Sequence, residues 1–349
     1  MSPDPTQEAR RPRATIRDVA TAAGVSPMTV SNFVNGKFAS MSPETRARVE
    51  QHIERSGYRP HSMARSLRLS ERLTIGMIVF SDVPTYLSDP FTTNLVAGLS
   101  NYLNARGYGV LIQGVDPKSF KTSSVVRDIR TDGICTFLSG SDAQRQEDIE
   151  ILLDLNQPVV AFQETLRFPD RDLCIVRQDD RNGGRIVAKE AISAKTKRIV
   201  IILPKVHWPA LIERSKGFRS AIRDSGIDAV VRVLKCQENS FQDIQAMLAR
   251  EIEEYGVPDA VMAGNDHIGI AAAKLLLDRG YKIPADVTVT GFNAFDFWQY
   301  TDPVLTTVRS PAYEMGVRGA AALLDRLRTG AFAEPEIVFA VDLLRGGST

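Results

Sequence analysis

The 349-residue sequence predicts an all-α head followed by an α/β body. Three short amphipathic segments with helix start and stop signals occupy residues 15–57. From residue 73 onward, apolar runs alternate with amphipathic segments, which is typical of parallel α/β units. The length also exceeds the roughly 250–300 residues at which single cores stop growing, so we expect more than one domain.

The head reads as three helices with a helix-turn-helix at its start. Gly24 supplies the sharp turn between the first two helices. Ser26 and Ser42 are good N-caps, and the prolines after them stand where a missing N–H costs nothing. The inward faces, at helical spacing, are predicted to be Ile16, Val19, Ala20 and Ala23, then Val30, Phe33 and Val34, then Thr45, Val49, His52 and Ile53.

The body reads as two successive α/β series, which predicts two lobes with a cleft between them. The first series has strands near 73–80, 109–113, 133–138 and 159–162, with helices near 91–106, 118–130 and 143–155. The second has strands near 198–203, 229–234, 260–263 and 287–291, with helices near 183–193, 209–224, 241–254 and 268–279. Alternation of this kind indicates doubly wound sheets.

Charge is divided unevenly along the chain. Residues 1–72 hold 12 Lys and Arg against 7 Asp and Glu, or +5, and the remainder holds 31 against 35, or −4. A basic head on a mildly acidic body fits phosphate contacts at one end.

Several other classes of chemistry lack a signal in the sequence. Cys135, Cys174 and Cys236 are scattered and odd in number, so we expect buried, reduced thiols and neither a disulfide framework nor a metal site. No P-loop, HExxH or histidine ligand spacing is present. Gly183 and Gly184 are expected to ease helix packing, and Asp179 and Asp180 to cap a helix. Without a secretory signal or long apolar run, the chain is expected to be cytoplasmic and to cross no membrane.

The head sequence resembles a known family. The stretch 15–67, which opens TIRDVATAAGVSPMTVSNFVNG and closes GYRPHSMARSL, is similar to the DNA-binding headpiece of the LacI/GalR bacterial transcription regulators. The resemblance extends more loosely over the body and implies a two-lobed fold like that of periplasmic binding proteins. It also implies three crossings between the lobes, placed near Val176, Val308 and Ala333. On that expectation 304–308 leads back to a first-lobe helix at 312–329, and 336–344 is the last strand, returning to the second lobe.

The resemblance divides the chain into four parts. These are a flexible basic tail at 1–13, a helix-turn-helix domain at 14–59, a hinge helix or linker at 60–71 and an effector and dimerisation domain at 72–349. Residues 61–67 carry little apolar surface, and an isolated helix this short is marginal in water. We therefore predict that it orders only when two copies meet on DNA.

DNA contacts are predicted on the second helix and the hinge. Pro27, Met28 and Asn32 occupy base-contacting positions of the family, where Asn can bind adenine in a bidentate manner and Pro and Met offer apolar contact. Many relatives carry Arg at the Asn32 position, and Asn32 as a solvated polar residue is the alternative. Short donors suited to phosphates are Thr15, Ser26, Thr29, Ser31 and Asn35, with helix capping as their alternative. In the hinge, Ala64 and Leu67 match the family, whose leucine wedges into the minor groove. A leucine packed on the body is the alternative.

A small effector is expected in the cleft, at the carboxyl ends of the strands. The positions carried over from the family are Ser81, Phe91, Gln163, Arg214, Phe241, Asn265, Asp266 and Asn293. Arg214 could bridge two ligand oxygens and Phe241 could stack on a ring. The alternatives are a surface arginine for Arg214 and a helix N-cap for Asp266.

Two departures from the family bear on the effector. Gln163 and Asn293 stand where relatives often have Asp, which would leave Arg214 with fewer internal partners. A carboxylate- or phosphate-bearing effector, such as a sugar acid, is therefore predicted over a neutral sugar.

The sequence thus predicts a transcription regulator, more specifically a repressor, whose affinity for double-stranded operator DNA is controlled by a sugar or a related metabolite. A homodimer on a near-palindromic operator is expected, with no cofactor or metal. The rivals are a solute-binding protein of a transport system, which lacks such a head, and an enzyme acting in the cleft, for which no nucleophile–base constellation is present.

Overall fold

A computed structural model describes residues 14–34, 36–39, 41–58, 72–82, 84–128, 130–237 and 240–349. The described residues form two compact units that divide between Arg72 and Leu73. We call them the head and the body and describe each by itself. The predicted tail (1–13) and the whole of the predicted hinge (60–71) lie outside the described residues.

The head is a three-helix unit, α1 (Ile16–Ala23), α2 (Pro27–Val34) and α3 (Pro43–Ser56). Thr15 and Asp18 form a capping box at the start of α1, and Ser42 caps α3. Gly24 follows α1 in a left-handed conformation (φ +62°), as the predicted turn requires. The core is formed by five fully buried side chains, Val19, Ala20, Ala23, Val30 and Val49. The predicted inward faces therefore meet.

The body contains β1–β12 and α4–α11 within the described residues. The strands are β1 (Thr74–Phe80), β2 (Gly109–Val115), β3 (Gly133–Phe137), β4 (Val159–Phe162), β5 (Leu173–Gln178), β6 (Arg198–Pro204), β7 (Val230–Cys236), β8 (Ala260–Ala263), β9 (Thr288–Thr290), β10 (Thr307–Arg309), β11 (Glu336–Phe339) and β12 (Asp342–Leu344). The helices are α4 (Pro90–Asn104), α5 (Ser124–Arg127), α6 (Asp142–Leu153), α7 (Asp180–Ala191), α8 (Pro209–Asp224), α9 (Phe241–Tyr255), α10 (Asp266–Asp278) and α11 (Ala312–Thr329).

Two sheets define the two lobes. The first lobe has a parallel six-stranded sheet in the order β11-β5-β4-β3-β1-β2. The second has a parallel sheet in the order β7-β6-β8-β9, beside which β10 pairs antiparallel with β12. Each sheet is buried on both faces, and its central strands are almost continuously apolar, as expected for parallel sheets. The two-lobed α/β architecture is confirmed.

The predicted helix at 118–130 is wrong. The segment contains a 3₁₀ turn, Phe120–Thr122, and the four-residue α5. Phe120 is fully buried against Phe80, with ring centroids 4.7 Å apart, which pins the turn to the sheet. The Ser- and Thr-rich sequence also offers the backbone local hydrogen bonds that compete with a helix.

The crossings between lobes fall later than predicted. Gln178 ends the first-lobe strand β5, which the sequence did not predict, and α7 begins the second lobe at Asp180. The return follows Arg309, and the last crossing lies at 340–341 and not near Ala333. The single strand predicted at 336–344 is wrong, because β11 pairs with β5 in the first lobe and only β12 belongs to the second. Glu336 is held there by Arg177, whose Nε donates at 2.7 Å.

Candidate functional site

The lobes enclose a cavity at the carboxyl ends of their parallel strands, where α/β sheets bind ligands. This first cavity measures about 710 Å³ including its open mouth. It is lined by Val79, Ser81, Thr85, Tyr86, Asp89, Phe91, Thr92, Phe137 and Gln163 from the first lobe and by Val206, Trp208, Ala210, Leu211, Arg214, Asn265 and Asn293 from the second. The mixture of aromatic rings with amide, hydroxyl and charged groups is that of a small-molecule site.

Arg214, on α8, is the central charged group of the cavity. It is only 4% exposed, so the alternative of a surface arginine is wrong. Its Nε donates to Asp180 Oδ1 at 2.7 Å and its Nη1 to the Gly264 carbonyl at 2.8 Å. The guanidinium carbon lies 3.8 Å from the centre of the Phe292 ring. The side chain is therefore fixed in position before any ligand binds.

Asp180 supplies a carboxylate partner for Arg214 that was not predicted from the sequence. It accepts hydrogen bonds from Arg214, from Gln178 Nε2 at 2.8 Å and from Gln163 Nε2 at 3.1 Å. Burial raises the pKa of Asp180, and the guanidinium and amide donors oppose that shift. Three N–H groups point at its oxygens, and hydrogen bonds of this kind favour the charged form of a carboxyl. The prediction that Arg214 has fewer internal partners is wrong, because its guanidinium binds the Asp180 carboxylate and the Gly264 carbonyl.

A close helix contact brings these two charges together. Asp179 caps α7 by accepting from the Asn182 N–H at 3.0 Å, as predicted, whereas Asp180 is the first helical residue and turns toward α8. A Cβ at Gly184 would lie 2.4 Å from the Arg214 carbonyl oxygen, so only glycine permits this approach. The prediction that this glycine eases helix packing is confirmed.

The lobes touch at the mouth of the cavity. Trp208, just before α8, stacks on Phe137 at the end of β3, with ring centroids 4.4 Å apart and planes at 17°. Beside it, the Gly140 N–H donates to the His207 carbonyl at 3.0 Å. A ligand in the cavity therefore lies against a contact that joins the lobes.

The end of the second-lobe sheet is fixed by a buried carboxyl. Asn265, not Asp266, is the N-cap of α10, and its side chain accepts from the Ile268 N–H at 3.0 Å. Asp266 is 1% exposed and accepts from Thr307 Oγ1 and the Ala294 N–H, both at 2.5 Å. Burial raises its pKa to about 7 despite these donors. Asp266 therefore holds the loop that carries Asn293.

The structure brings most of the predicted effector residues together. Six line the first cavity, namely Ser81, Phe91, Gln163, Arg214, Asn265 and Asn293. Phe241 does not line this cavity. Its ring packs edge-on against the His267 ring, with centroids 6.0 Å apart. Sequence reasoning missed Asp180, Trp208 and Phe137. Trp208 could have been suspected as one of two tryptophans in the chain, in the turn after a predicted strand.

The candidate nucleic-acid surface of the head is the start of α2. Pro27 is exposed, Met28 is 60% exposed, and Asn32 is partly exposed, while Val30 turns into the core. A helix that buries one face and offers these side chains on the other can present its N-terminal end to a groove.

Two of the predicted phosphate donors serve as caps. The Thr15 hydroxyl lies 2.8 Å from Asp18 Oδ2 and accepts from the Asp18 N–H, and Ser26 Oγ accepts from the Thr29 N–H at 3.1 Å. Asn35, Ala64 and Leu67 lie outside the described residues.

No cluster of three or more His, Cys, Asp or Glu side chains among the described residues could hold a metal ion. No helix in that part of the chain is both long enough and apolar enough to span a membrane. Cys135, Cys174 and Cys236 are buried and form no disulfide, as predicted.

A helix-turn-helix head and a ligand cleft between two α/β lobes define a ligand-responsive DNA-binding regulator. Residues 15–61 match the model of bacterial regulatory proteins of the lacI family, and residues 188–349 match a periplasmic binding protein-like domain.

Similar proteins agree with this class. The ribose operon repressor of Bacillus subtilis is 29% identical over 324 residues, which cover 93% of this chain and 95% of the repressor. A structure of the transcriptional regulator CelR in complex with cellobiose is 25% identical, covers 97% of this chain and all of its own, and has a TM-score of 0.69. The lac repressor dimer bound to operator and the anti-inducer ONPF has the same fold, with a TM-score of 0.81 at 22% identity over 97% of this chain and 99% of that one. The head of this chain is a lacI-type DNA-binding domain and its body is periplasmic-binding-protein-like, as the sequence predicted. The protein is a DNA-binding transcriptional regulator and not a solute-binding protein of a transport system.

Proposed function

We propose that this regulator is a repressor whose operator affinity is set by a neutral sugar bound in the first cavity. The observation that carries the choice of ligand is the Arg214–Asp180 pair, which leaves no net charge at the centre of the site. Arg214 Nη2 would donate to a hydroxyl, and Asn265 and Asn293 would supply amide contacts. Trp208 and Tyr86 would pack against the apolar faces of the ring. Relatives support the same class, since one is a repressor of a ribose operon and another was solved in complex with cellobiose.

This proposal replaces the sugar acid predicted from the sequence. Asp89, a carboxylate that does line the first cavity, is an N-cap that accepts from the Thr92 N–H at 3.0 Å and the Thr92 hydroxyl at 2.7 Å. An anionic ligand would therefore meet a neutral ion pair and a nearby negative charge. Its desolvation would have little compensation.

For the head, we propose that Pro27, Met28 and Asn32 contact base edges in the major groove of operator DNA. The exposure of Pro27 and Met28 at the N-terminal end of α2 supports this role. Asn32 would favour adenine, and Met28 a thymine methyl group. Ala64 and Leu67 would contact the minor groove.

We further propose that the protein acts as a cytoplasmic homodimer without catalytic activity. A single headpiece reads only a few base pairs, so a two-fold dimer on a near-palindromic operator supplies the needed specificity. The lacI-type head and the similarity to the lac repressor dimer support these statements. No turnover of a bound sugar is expected.

Calorimetry of the full chain tests the choice of ligand. D-Ribose, D-glucose and cellobiose are titrated alongside ribonate, gluconate and cellobionate, and one neutral sugar is expected to bind at least tenfold more tightly than its acid. Tighter binding by the acids would refute the neutral-sugar proposal. An operator selected from random duplexes then shows whether that sugar changes DNA affinity, and no change would refute its role as effector.

A further inference from the structure

A second cavity lies beside the first. It measures about 730 Å³ with its opening and shares Asp89, Asn265 and Asn293 with the first cavity, so the two are neighbours within one cleft. Its first-lobe wall is the segment before α4, and its second-lobe wall combines the start of α10 with the loop 292–297. Among the effector residues predicted from the sequence, Asp266 lines the second cavity without lining the first.

Two buried polar atoms at this cavity have no hydrogen-bond partner among the described residues. They are Asn293 Oδ1 and His267 Nε2, and Asn293 is only 8% exposed. Leaving such groups unpaired is unfavourable, so native proteins seldom keep them without a purpose. Both residues line the second cavity, where a ligand hydroxyl could satisfy them.

The backbone that carries Asn293 is also strained. Asn293 has φ +108° and Ala294 has φ +52°, two successive non-glycine residues in a region that disfavours side chains. Asp266 holds this turn by accepting the Ala294 N–H. Such strain persists only where the surroundings enforce it, and it concentrates at ligand sites.

The remaining wall is aromatic. Phe295 and Phe297 line the cavity and are partly exposed, and they belong to the aromatic-rich segment 295–300. Aromatic rings beside unpaired amide and imidazole groups match a pyranose ring, which has apolar C–H faces and a hydroxylated edge. Neither cavity needs a charged group on the ligand.

We propose that the effector is a disaccharide, with one ring in the first cavity and the second ring in the second cavity. The second ring packs on Phe297 and exchanges hydrogen bonds with Asn293 and His267. This assignment rests on the proposed neutral-sugar function and specifies the length of the ligand.

Calorimetry with defined sugars tests the assignment. The full chain is titrated with D-glucose and D-galactose and with cellobiose, maltose and lactose, and one disaccharide should bind at least tenfold more tightly than its constituent monosaccharides. Phe297→Ala should weaken that disaccharide about tenfold and leave monosaccharide affinity unchanged. Tyr300→Ala is the matched control, because Tyr300 lies on the same segment, is 82% exposed and lines neither cavity.

A second variant covers the case in which Phe297→Ala does not fold, which its melting temperature would show. Ser88→Trp adds bulk at an exposed position of the cavity wall and should also exclude the second ring alone. Equal affinity for a monosaccharide and every disaccharide, or equal losses for both in these variants, overturns the assignment and leaves the neutral-sugar function standing. Binding of sugar acids in place of all neutral sugars overturns both.

Discussion

Replacing Asp180 by Asn tests whether a buried ion pair organises the cleft. The substitution keeps the size of the side chain but removes its charge, while Arg214 remains protonated. Arg214 is 4% exposed and hydrogen-bonds otherwise to the Gly264 carbonyl at 2.8 Å. A guanidinium would thus stay buried without a counter-charge.

The expected cost follows from that burial. Removing one partner of a buried pair typically destabilises a protein by about 3–5 kcal/mol. Asn can still accept two of the three hydrogen bonds that Asp180 accepts, because Arg214 and Gln178 both donate to Oδ1, and the Phe292 ring still faces the guanidinium at 3.8 Å. The lower end, about 3 kcal/mol, is therefore expected, which corresponds to a fall in Tm of roughly 6–12 °C for a domain of this size.

Urea unfolding followed by circular dichroism measures this cost. Asp179→Asn is the matched control, because Asn is also a good N-cap and no buried charge is affected. Adding Arg214→Gln to Asp180→Asn should recover part of the stability, since the unpaired charge is removed. A loss below about 0.5 kcal/mol in the single variant, or a further loss in the double variant, would refute the reasoning.

The same substitution should change ligand preference. With the carboxylate gone, the cavity carries a net positive charge at Arg214, so gluconate should gain at least tenfold in affinity relative to D-glucose. Calorimetry on the folded variant measures the ratio. An unchanged ratio would mean that Arg214 does not face the ligand.

Four further predictions concern other parts of the molecule. Burial raises the pKa of Asp148 to about 6 from its ordinary 3.8, so its ionisation opposes folding as pH rises through that interval. Asp148→Asn should therefore stabilise the protein on the order of 2 kcal/mol at pH 8, with the gain vanishing near pH 4 in urea titrations; a gain independent of pH would contradict this. Trp208→Ala should weaken sugar binding at least tenfold by calorimetry without lowering operator affinity in the absence of sugar. Leu67→Ala should weaken operator binding strongly in a gel-shift assay and leave effector affinity unchanged, and equal operator binding would exclude the wedge. Val30→Ala should cost the head roughly 1–2 kcal/mol and reduce operator binding, while the sugar affinity of the body stays as it was.

Local signals were sufficient for most elements of the body. The helix at Pro209–Asp224 was predicted to the residue, because a proline marks its first turn and its apolar stripe is regular. The strands Val159–Phe162 and Ala260–Ala263 were equally clear as short buried runs. The prediction for the last segment was wrong because Glu336–Phe339 and Asp342–Leu344 resemble one continuous strand in the sequence. They are distinguished only by their pairing, the first with β5 and the second with β10.

The location of the candidate site was predicted from the sequence, but the pairing of Arg214 with a buried carboxylate was not. The family resemblance placed Ser81, Gln163 and Asn293 at the cleft, and all three line the first cavity at the carboxyl ends of the parallel strands. The partnership of Arg214 with Asp180 joins two different helices across 34 positions in sequence. No spacing rule predicts such a contact, because it depends on a helix approach that only the folded structure reveals.

The hydrogen bonds of the cleft also tie together the strands at which the chain crosses between lobes. Gln178 ends the first crossing strand, donates to Asp180 and accepts from Ser310, which follows the second crossing strand. The Asp179 N–H next to it donates to the Phe339 carbonyl at 2.9 Å, at the end of the strand before the third crossing. Because Asp180 also fixes Arg214, a ligand that moves the guanidinium acts on the same carboxylate that Gln178 holds. Under the proposed function, ligand binding and a change in lobe arrangement would share this one set of buried bonds, and a sugar with different affinities for two lobe arrangements would shift their balance.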